Sequence, residues 1–334
     1  MESLRVFALN CSREFSEAVA AHLSQPLARH EEREFEDGEH KSRPLETVRG
    51  SDVYVISSLN GTPGETVNDR LCRLLFFLST LKDMGAARLT AICPYLGYSR
   101  KDRRTKLRDP VTTRYVAQLF EASGVDAVAT MDVHNLAAFQ NAFRKPTVHL
   151  EAAPLFVAHL RRRLRSLEPA VMSPDPGGVK RAESFRELLA NTLNQDIPLV
   201  FMEKKRSEDQ VSGKTVVGDV EGKTVLVIDD MISTGTTLSR SIAACHKLGC
   251  NSAIALATHG LFTDGAEALV QSPVLDRIVI CNTIHPIRRP SDPSRLDVLD
   301  ISPLIAETIS KMHRGLPLPR EVPSSAPLWE SESF

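Results

Sequence analysis

The stretch Thr224-Val-Leu-Val-Ile-Asp-Asp-Met-Ile-Ser-Thr-Gly-Thr-Thr-Leu238 decides how this chain folds. Residues 224–228 are apolar or β-branched, which is typical of a parallel strand that is buried on both faces. Two carboxylates, Asp229 and Asp230, follow at the point where that strand should end. A loop rich in hydroxyls, residues 233–237, comes next, and apolar residues then recur at helical spacing. The stretch therefore predicts a strand, a tight polar loop and a helix.

The loop between that strand and that helix has the features of an anion-binding site. The N–H groups of a first helical turn have no partner within the helix, and the helix dipole favours negative charge there. Thr234, Thr236 and Thr237 can donate hydroxyl hydrogen bonds, and Gly235 lets the backbone approach a ligand closely. The two acids would repel the same phosphate, so they suit sugar hydroxyls or a bridging divalent cation. A phosphorylated sugar is the predicted ligand, and a capped helix with a plain turn is the alternative.

Length and composition limit the class of protein. A chain of 334 residues is too long for one small core, so two domains are expected. Hydrophobic residues make up 42% and charged residues 25%, as in an ordinary globular protein. The net charge of −1 gives no general basic field for nucleic acid or a membrane surface, so neither is expected as a partner.

Cysteine spacing and the N-terminus bear on the compartment. The six cysteines are scattered without a C-x-x-C spacing, which favours reduced, buried thiols. The first residues lack the layout of a signal or transit peptide, and no apolar run approaches the roughly 20 residues that span a bilayer. We therefore expect a cytoplasmic protein without a membrane segment.

Apolar strand patterns alternate with helical patterns along most of the chain, and this alternation occurs twice. Such a pattern predicts an α/β fold with two mainly parallel sheets, each flanked by helices. The change of domain is expected near residues 145–153, which gives an N-terminal domain at 1–149 and a C-terminal domain at 150–314. Prolines, serines and acids predict a disordered tail at 315–334.

Polar side chains recur where predicted strands end, which is where ligands bind in open α/β sheets. His134 and Asp175 each follow a strand and could contribute to a divalent-metal site, although a structural role is the commoner one for a lone histidine. Lys204 and Arg206 leave another strand just ahead of a polar loop, so they could stabilise phosphoryl charge in a closed site. A solvated basic face is the alternative for that cluster.

A denser basic segment, residues 100–108, is the best candidate for holding a nucleotide triphosphate, because the chain has no Walker-type glycine loop. Its cations surround Asp102 and are Arg100, Lys101, Arg103, Arg104, Lys106 and Arg108.

Together, several segments resemble the ribose-phosphate diphosphokinases, or PRPP synthetases. They are Phe35-x-Asp37-Gly38-Glu39, Tyr95-x-Gly97-Tyr98-x-Arg100-x-Asp102-Arg103, Asp132-x-His134, Ser173-Pro174-Asp175-x-Gly177-Gly178, Lys204-x-Arg206 and the motif at 229–237. The similarity covers roughly residues 5–313. Phosphoribosyltransferases share only the last motif and have one such domain.

The resemblance implies two tandem phosphoribosyltransferase-type domains, with the ATP site and subunit contacts in the first and the ribose 5-phosphate site in the second. It also implies a reaction in which the diphosphoryl group of ATP passes to the C1 hydroxyl of ribose 5-phosphate, with Mg²⁺ as the cofactor. The products would be 5-phosphoribosyl 1-diphosphate (PRPP) and AMP. The protein would be a homo-oligomer whose ATP sites are shared between subunits.

The roles given below are those that the resemblance to the family implies. The 5-phosphate would be held by Ser233, Thr234, Gly235, Thr236 and Thr237, and the ribose hydroxyls with their magnesium would face Asp229 and Asp230. ATP would be bound by Phe35, Asp37, Gly38 and Glu39 of a neighbouring subunit and by Arg100, Lys101, Asp102 and Arg103. His134 and Asp175 would hold the ATP-bound magnesium, and Lys204 and Arg206 would stabilise the transition state.

Some positions depart from the commoner family pattern. Lys101 stands where a glutamine is usual, Ser233 stands where many members have an acid, and the loop at 60–69 is longer than usual. Two alternatives to an active PRPP synthetase are a catalytically silent, regulatory homologue and a phosphoribosyltransferase that consumes PRPP. The silent homologue predicts loss of Lys204, Arg206, His134 or Asp175, and all four are present.

Overall fold

The computed structural model describes residues 3–204, 214–263 and 266–318. They form two compact units. Unit 1 contains residues 3–151, 283–286 and 300–318, and unit 2 contains the remaining described residues between 152 and 299. Within these ranges no helix combines the length and the hydropathy needed to cross a bilayer.

Unit 1 is built on a parallel five-stranded sheet. Its elements up to residue 150 are β1 (Leu4–Ala8), α1 (Arg13–His22), β2 (His30–Glu34), β3 (His40–Pro44), β4 (Asp52–Ile56), α2 (Val67–Asp83), β5 (Arg88–Cys93), α3 (Thr112–Ala122), β6 (Ala127–Met131), α4 (Leu136–Ala142) and β7 (Thr147–Leu150). The sheet order is β1-β4-β5-β6-β7, and β2 and β3 form a separate antiparallel hairpin. All five residues of β4 are buried, as a strand covered on both faces requires.

Unit 2 contains a seven-stranded sheet with the order β10-β9-β8-β11-β12-β13-β14. Its elements are α5 (Ala153–Leu164), β8 (Pro169–Ser173), α6 (Val179–Leu193), β9 (Leu199–Lys204), β10 (Lys214–Val217), β11 (Thr224–Ile232), α7 (Thr236–Lys247), β12 (Ser252–Gly260), α8 (Glu267–Val270), β13 (Leu275–Cys281) and β14 (Leu296–Leu299). The strands are parallel except for the antiparallel edge pair β9–β10. The observed architecture is the α/β class that the alternation predicted.

The strand that opens the deciding stretch is longer than the sequence suggests. We expected it to end before Asp229, but β11 continues through both acids to Ile232. The reason is that Met231 and Ile232 stay paired with His259 and Gly260 of β12. The helix that follows has the predicted apolar face, because Leu238, Ile242 and Cys245 are all buried on α7.

A last helix, α9 (Ser302–Arg314), belongs to unit 1 although it follows unit 2 in the chain. It packs on α1, and its end is fastened to the start of the sheet. His313 Nδ1 lies 2.7 Å from a carboxylate oxygen of Asp52, which is fully buried, and Arg88 donates to the carbonyl of Met312 over 2.9 Å. Residues 300–314, which were expected in the C-terminal domain, are therefore grouped with unit 1 by these long-range contacts.

The predicted tail is described only in its first residues. Gly315 adopts a left-handed conformation that ends α9, and the Leu316 N–H bonds to the carbonyl of Lys311 over 2.8 Å. Residues 319–334 lie outside the described residues.

Candidate active site

The loop after β11 has the strand–loop–helix geometry that an anion site requires. Ser233 follows the strand directly, and its hydroxyl lies 3.1 Å from that of Thr263, a residue that the sequence did not single out. Thr234 and Thr236 hydroxyls are 3.0 Å apart, and α7 begins at Thr236. The first N–H groups of this helix therefore open on a loop that is rich in hydroxyl donors.

Gly235 is required at its position for two reasons. Its φ of +70° is in the left-handed region, which side chains other than glycine rarely adopt. A Cβ atom there would also lie 3.1 Å from the Cβ of Leu269 on α8. The glycine thus allows the loop to pack closely against α8, and the close approach to a ligand stays a prediction.

The acid pair in the second half of β11 is largely buried and faces an arginine that sequence reasoning missed. The Asp229 side chain is 20% exposed and that of Asp230 only 2%. One terminal nitrogen of Arg181, on α6, lies 3.5 Å from Asp229 Oδ1 and 3.2 Å from Asp230 Oδ1. No pattern in the sequence could have signalled this contact, because it joins residues almost fifty positions apart.

Burial and like charge act together on these acids. Burial raises the pKa of the Asp229 carboxyl well above its ordinary value of 3.8, the charge of Asp230 adds to the rise, and Arg181 opposes it. The Asp230 N–H also donates to Asp229 Oδ1 over 2.9 Å. Two adjacent buried carboxylates suit a ligand that brings hydroxyl donors or a hard divalent cation.

Asp175 lies in a tight glycine loop between β8 and α6. Its Oδ1 accepts a hydrogen bond from the Gly178 N–H over 3.0 Å. A Cβ on Gly177 would lie 3.3 Å from the same oxygen, and a Cβ on Gly178 would lie 2.9 Å from the Ser173 hydroxyl. The two glycines therefore allow the loop to close around this half-buried carboxylate.

In unit 1, the segment after β6 meets the basic segment 100–108. His134 is exposed there, two residues after Asp132, whose φ of +33° is left-handed. Asn135 caps α4 and also donates to Asp102 Oδ2 over 2.7 Å. The structure thus brings Asp102, a predicted ATP ligand, next to the segment of the predicted metal ligand His134.

Lys101 forms hydrogen bonds within its own loop, residues 101–109. Its Nζ bonds to the Thr105 hydroxyl over 2.9 Å and to the carboxylate of Asp109, which also accepts from the N–H groups of Thr105 and Lys106. These bonds, with Lys101 first among them, hold the pKa of the Asp109 carboxyl below its ordinary value. Arg100 and Arg103 are exposed, and within the described part of the chain neither forms an ion pair.

The segment with Phe35 and Asp37-Gly38-Glu39 is the tip of the β2–β3 hairpin. Phe35 N–H donates to the carbonyl of Glu39 over 2.8 Å, and Gly38 has a φ of +87°. The Phe35 ring is 40% exposed, with the guanidinium carbon of Arg33 5.0 Å from its centre. An aromatic ring at an exposed hairpin tip can contact a ligand or another subunit.

A cleft of about 340 Å³ lies at the base of the same hairpin, but it contains none of the predicted site residues. Its charged groups largely satisfy one another: Glu32 lies 2.8 Å from His30 Nε2, and Arg73 pairs with Glu34 and Glu65. It therefore offers few groups for a charged ligand.

The predicted metal ligands do not form a complete site by themselves. Among the described residues no group of three or more His, Cys, Asp or Glu side chains is arranged to hold a metal ion. His134 belongs to unit 1 and Asp175 to unit 2. The Asp175 carboxylate is an oxygen ligand of the kind that Mg²⁺ prefers, alongside phosphate oxygens and water.

The two predicted catalytic cations cannot be placed. Lys204 is the last residue of β9, and its side chain lies outside the described residues, as does all of Arg206.

The chain is similar to known proteins over most of its length. Residues 4–124 match the family model of the N-terminal domain of ribose phosphate pyrophosphokinase, and residues 209–319 match that of the phosphoribosyl synthetase-associated domain. A ribose-phosphate pyrophosphokinase of Hyphomonas neptunium is 36% identical over 92% of this chain and 96% of its own length. One of Caldanaerobacter subterraneus is 35% identical over 94% and 96%.

A solved structure is similar over nearly the whole fold. The crystal structure of phosphoribosylpyrophosphate synthetase from Mycobacterium smegmatis has a TM-score of 0.84 and 32% identity, and the match covers 94% of this chain and 100% of that one. These matches confirm the predicted fold class and the predicted resemblance.

Proposed function

Because the chain belongs to the ribose-phosphate pyrophosphokinase family, we propose that it forms PRPP and AMP from ATP and ribose 5-phosphate. The observation that carries this proposal is the arrangement of unit 2, in which β11 carries the half-buried Asp229 and the buried Asp230 near its end and is followed by a hydroxyl-rich loop at the N-terminus of α7. That arrangement suits a ligand with a phosphate at one end and a diol at the other. Full-length similarity to enzymes of this name supports the same reaction.

Ribose 5-phosphate is assigned to unit 2. The 5-phosphate accepts hydrogen bonds from the N–H groups and hydroxyls of residues 233–237, and the helix dipole of α7 favours its charge. Asp229 and Asp230 accept hydrogen bonds from the ribose hydroxyls. Held in this way, the sugar presents its C1 hydroxyl in a fixed position, which is the main contribution a protein makes to phosphoryl-type transfer.

ATP is assigned to unit 1. Arg100, Lys101, Asp102 and Arg103 contact the nucleotide, and the exposed Arg100 and Arg103 supply positive charge for its phosphates. We further propose a homo-oligomer, because an exposed aromatic hairpin tip is suited to reach the ATP site of another subunit. In that assembly the adenine contacts the tip residues, which are Phe35, Asp37, Gly38 and Glu39.

His134 and Asp175 are the proposed protein ligands of Mg²⁺ bound to ATP, and Asp229 with Asp230 faces a magnesium at the ribose. Bound magnesium would neutralise phosphate charge and so lower the barrier to transfer. Lys204 and Arg206 are proposed to stabilise the charge that develops on the transferred group. We also propose that the protein is cytoplasmic.

The test is incubation of the purified protein with ATP, Mg²⁺ and ribose 5-phosphate, with the nucleotides separated by chromatography. AMP should accumulate only when all three are present. ADP in place of AMP would identify a simple kinase, and no turnover would favour a silent homologue. Lys204→Ala should abolish most of the turnover with an unchanged thermal unfolding midpoint, whereas wild-type rates in that variant would contradict its catalytic role.

A further inference from the structure

Arg181 lies where a side chain can control the acid pair of unit 2. It is the third residue of α6, and β8, the strand before that helix, pairs directly with β11. Its guanidinium is 22% exposed and reaches across to the end of β11. The tight loop around Asp175 sets the start of α6, so the position of Arg181 is fixed by the fold of unit 2.

The contact is shared between both acids. The same nitrogen of Arg181 is 3.2 Å from Asp230 Oδ1 and 3.5 Å from Asp229 Oδ1. Two neighbouring carboxylates repel each other, and the repulsion is strong where water is excluded. A planar cation that faces both oxygens offsets this repulsion and also restricts the orientation of the two groups.

We propose that Arg181 is a positioning residue, which holds Asp229 and Asp230 in the orientation that receives the hydroxyls of ribose 5-phosphate. The inference rests on the proposed function, since it assigns the sugar to this acid pair. Without the guanidinium the carboxylates turn away from each other, and the site has one positive charge fewer to offset its repulsion of the incoming phosphate. Both effects weaken binding of the sugar phosphate.

The acids contact the sugar both in the ground state and in the transition state. Losing their alignment therefore removes the same amount of binding energy from both states. Such a loss raises KM and leaves kcat nearly unchanged. ATP is assigned to unit 1, so its KM should not follow that of ribose 5-phosphate. This pattern separates a positioning role from a general loss of structure, which would lower kcat and affect both substrates.

The test compares Arg181→Gln and Arg181→Lys with the wild-type protein. Ribose 5-phosphate binding is measured by isothermal titration calorimetry with Mg²⁺ present, and KM for each substrate and kcat are measured from AMP formation. For Arg181→Gln we expect Kd and KM for ribose 5-phosphate to rise by roughly tenfold, with KM for ATP and kcat within about twofold of wild type. Lysine retains the charge without the planar fork, so Arg181→Lys should restore part of the affinity.

Arg186 offers a matched control on the same helix. Its side chain is 21% exposed and pairs with Glu183 over 2.6 Å. Arg186→Gln should therefore leave the affinity for ribose 5-phosphate unchanged. If Arg181→Gln does not fold, the affinity of Arg181→Lys for ribose 5-phosphate still tests the proposal, because we expect it to be lower than that of the wild-type protein.

Several results would overturn the proposal. They are wild-type affinity in both Arg181 variants, an equal loss in Arg181→Lys and Arg181→Gln, a fall in kcat at constant KM, and a parallel rise in both KM values. Failure of the proposed function looks different, because then the wild-type protein itself forms no AMP. If that protein still binds ribose 5-phosphate, the calorimetric comparison tests Arg181 by itself.

Discussion

The Asn135 side-chain amide donates a hydrogen bond to Asp102 Oδ2 over 2.7 Å, and its oxygen accepts from the Ala138 N–H over 3.1 Å. One side chain thus caps α4 and ties the basic segment 100–108 to the segment that carries His134. If both segments bind ATP, this bond sets their relative position.

Asn135→Asp separates the two contacts of this side chain. Aspartate is an equally good helix cap, but its carboxylate would repel Asp102. We expect an unchanged thermal unfolding midpoint and a two- to tenfold rise in KM for ATP, the range that losing about 0.5–1.5 kcal/mol gives. Asn135→Ala removes the cap as well and should also lower the stability by about 1 kcal/mol. A wild-type KM for ATP in Asn135→Asp would show that the bond to Asp102 does not position the nucleotide.

Lys101 and Asp109 form a second contact that shapes the basic segment. Asp109→Asn should loosen residues 101–109 and raise KM for ATP, and Lys101→Gln should do the same, each by about two- to tenfold. Lys101 is also a proposed ATP ligand, so Lys101→Gln should raise KM more than Asp109→Asn does. The double variant should resemble Lys101→Gln, because the contact with Asp109 is already lost there. A further rise of KM in the double variant would mean that Asp109 affects ATP binding independently of Lys101.

Asp126→Asn is the control for that series. Asp126 pairs with Lys82 over 2.9 Å elsewhere in unit 1, at an exposure similar to that of the Lys101–Asp109 pair. Asp126→Asn should therefore leave KM for ATP unchanged.

The order of strands and helices could be predicted from the sequence because it depends on local patterns. Buried strands such as β4 and β8 are short apolar runs, and the helices between them have apolar residues at helical spacing. The polar motifs were expected directly after strands, and Asp132 and the loop of Asp175 do follow β6 and β8, whereas Asp229 and Asp230 lie within β11. Membership of the family was predicted from those motifs and confirmed by the comparisons.

Contacts between distant residues could not be predicted. Nothing in the sequence around His313 indicates that it meets Asp52, and this contact groups the last helix with unit 1. Arg181 was missed for the same reason, because an arginine two residues into a helix has no pattern that marks it as the partner of the acids on β11. The end of β11 depends on its pairing with β12, and such pairing between strands could not be predicted from the local sequence either.

The loop at 60–69 is anchored by a buried arginine. Arg70 is 2% exposed and donates to Asn60 Oδ1 over 2.9 Å, to the carbonyl of His285 over 3.0 Å and to Glu65 over 2.8 Å. Arg70→Met should lower the free energy of unfolding by about 3 kcal/mol or more, because it removes a buried cation together with its bonds to Asn60, His285 and Glu65.

Arg73→Met is the matched control, one turn further along α2. Arg73 is 22% exposed and pairs with Glu34 and Glu65, so its loss should cost about 1 kcal/mol or less. Urea unfolding followed by circular dichroism measures both variants. Similar midpoints for Arg70→Met and Arg73→Met would show that burial of Arg70 adds nothing to the stability.

His285 predicts a dependence of stability on pH. It stacks on Phe15 at 4.8 Å between ring centres, and burial first and the charge of Arg70 second lower its pKa from 6.5 to about 4, against an opposing effect of Asp300. The unfolded chain therefore takes up a proton near pH 6.5, while the folded protein does so only near pH 4. The free energy of unfolding should be constant above that range and fall by up to about 3 kcal/mol as the pH drops from 6.5 to 4.

His285→Phe keeps an aromatic ring against Phe15 and removes the titrating group, so much of this fall should disappear between pH 7 and 4.5. His22→Gln, at an exposed position on α1, should leave the fall in place. Urea midpoints measured at several pH values across this window test both expectations. An unchanged pH dependence in His285→Phe would mean that other groups cause the loss of stability, and that the buried imidazole contributes little to it.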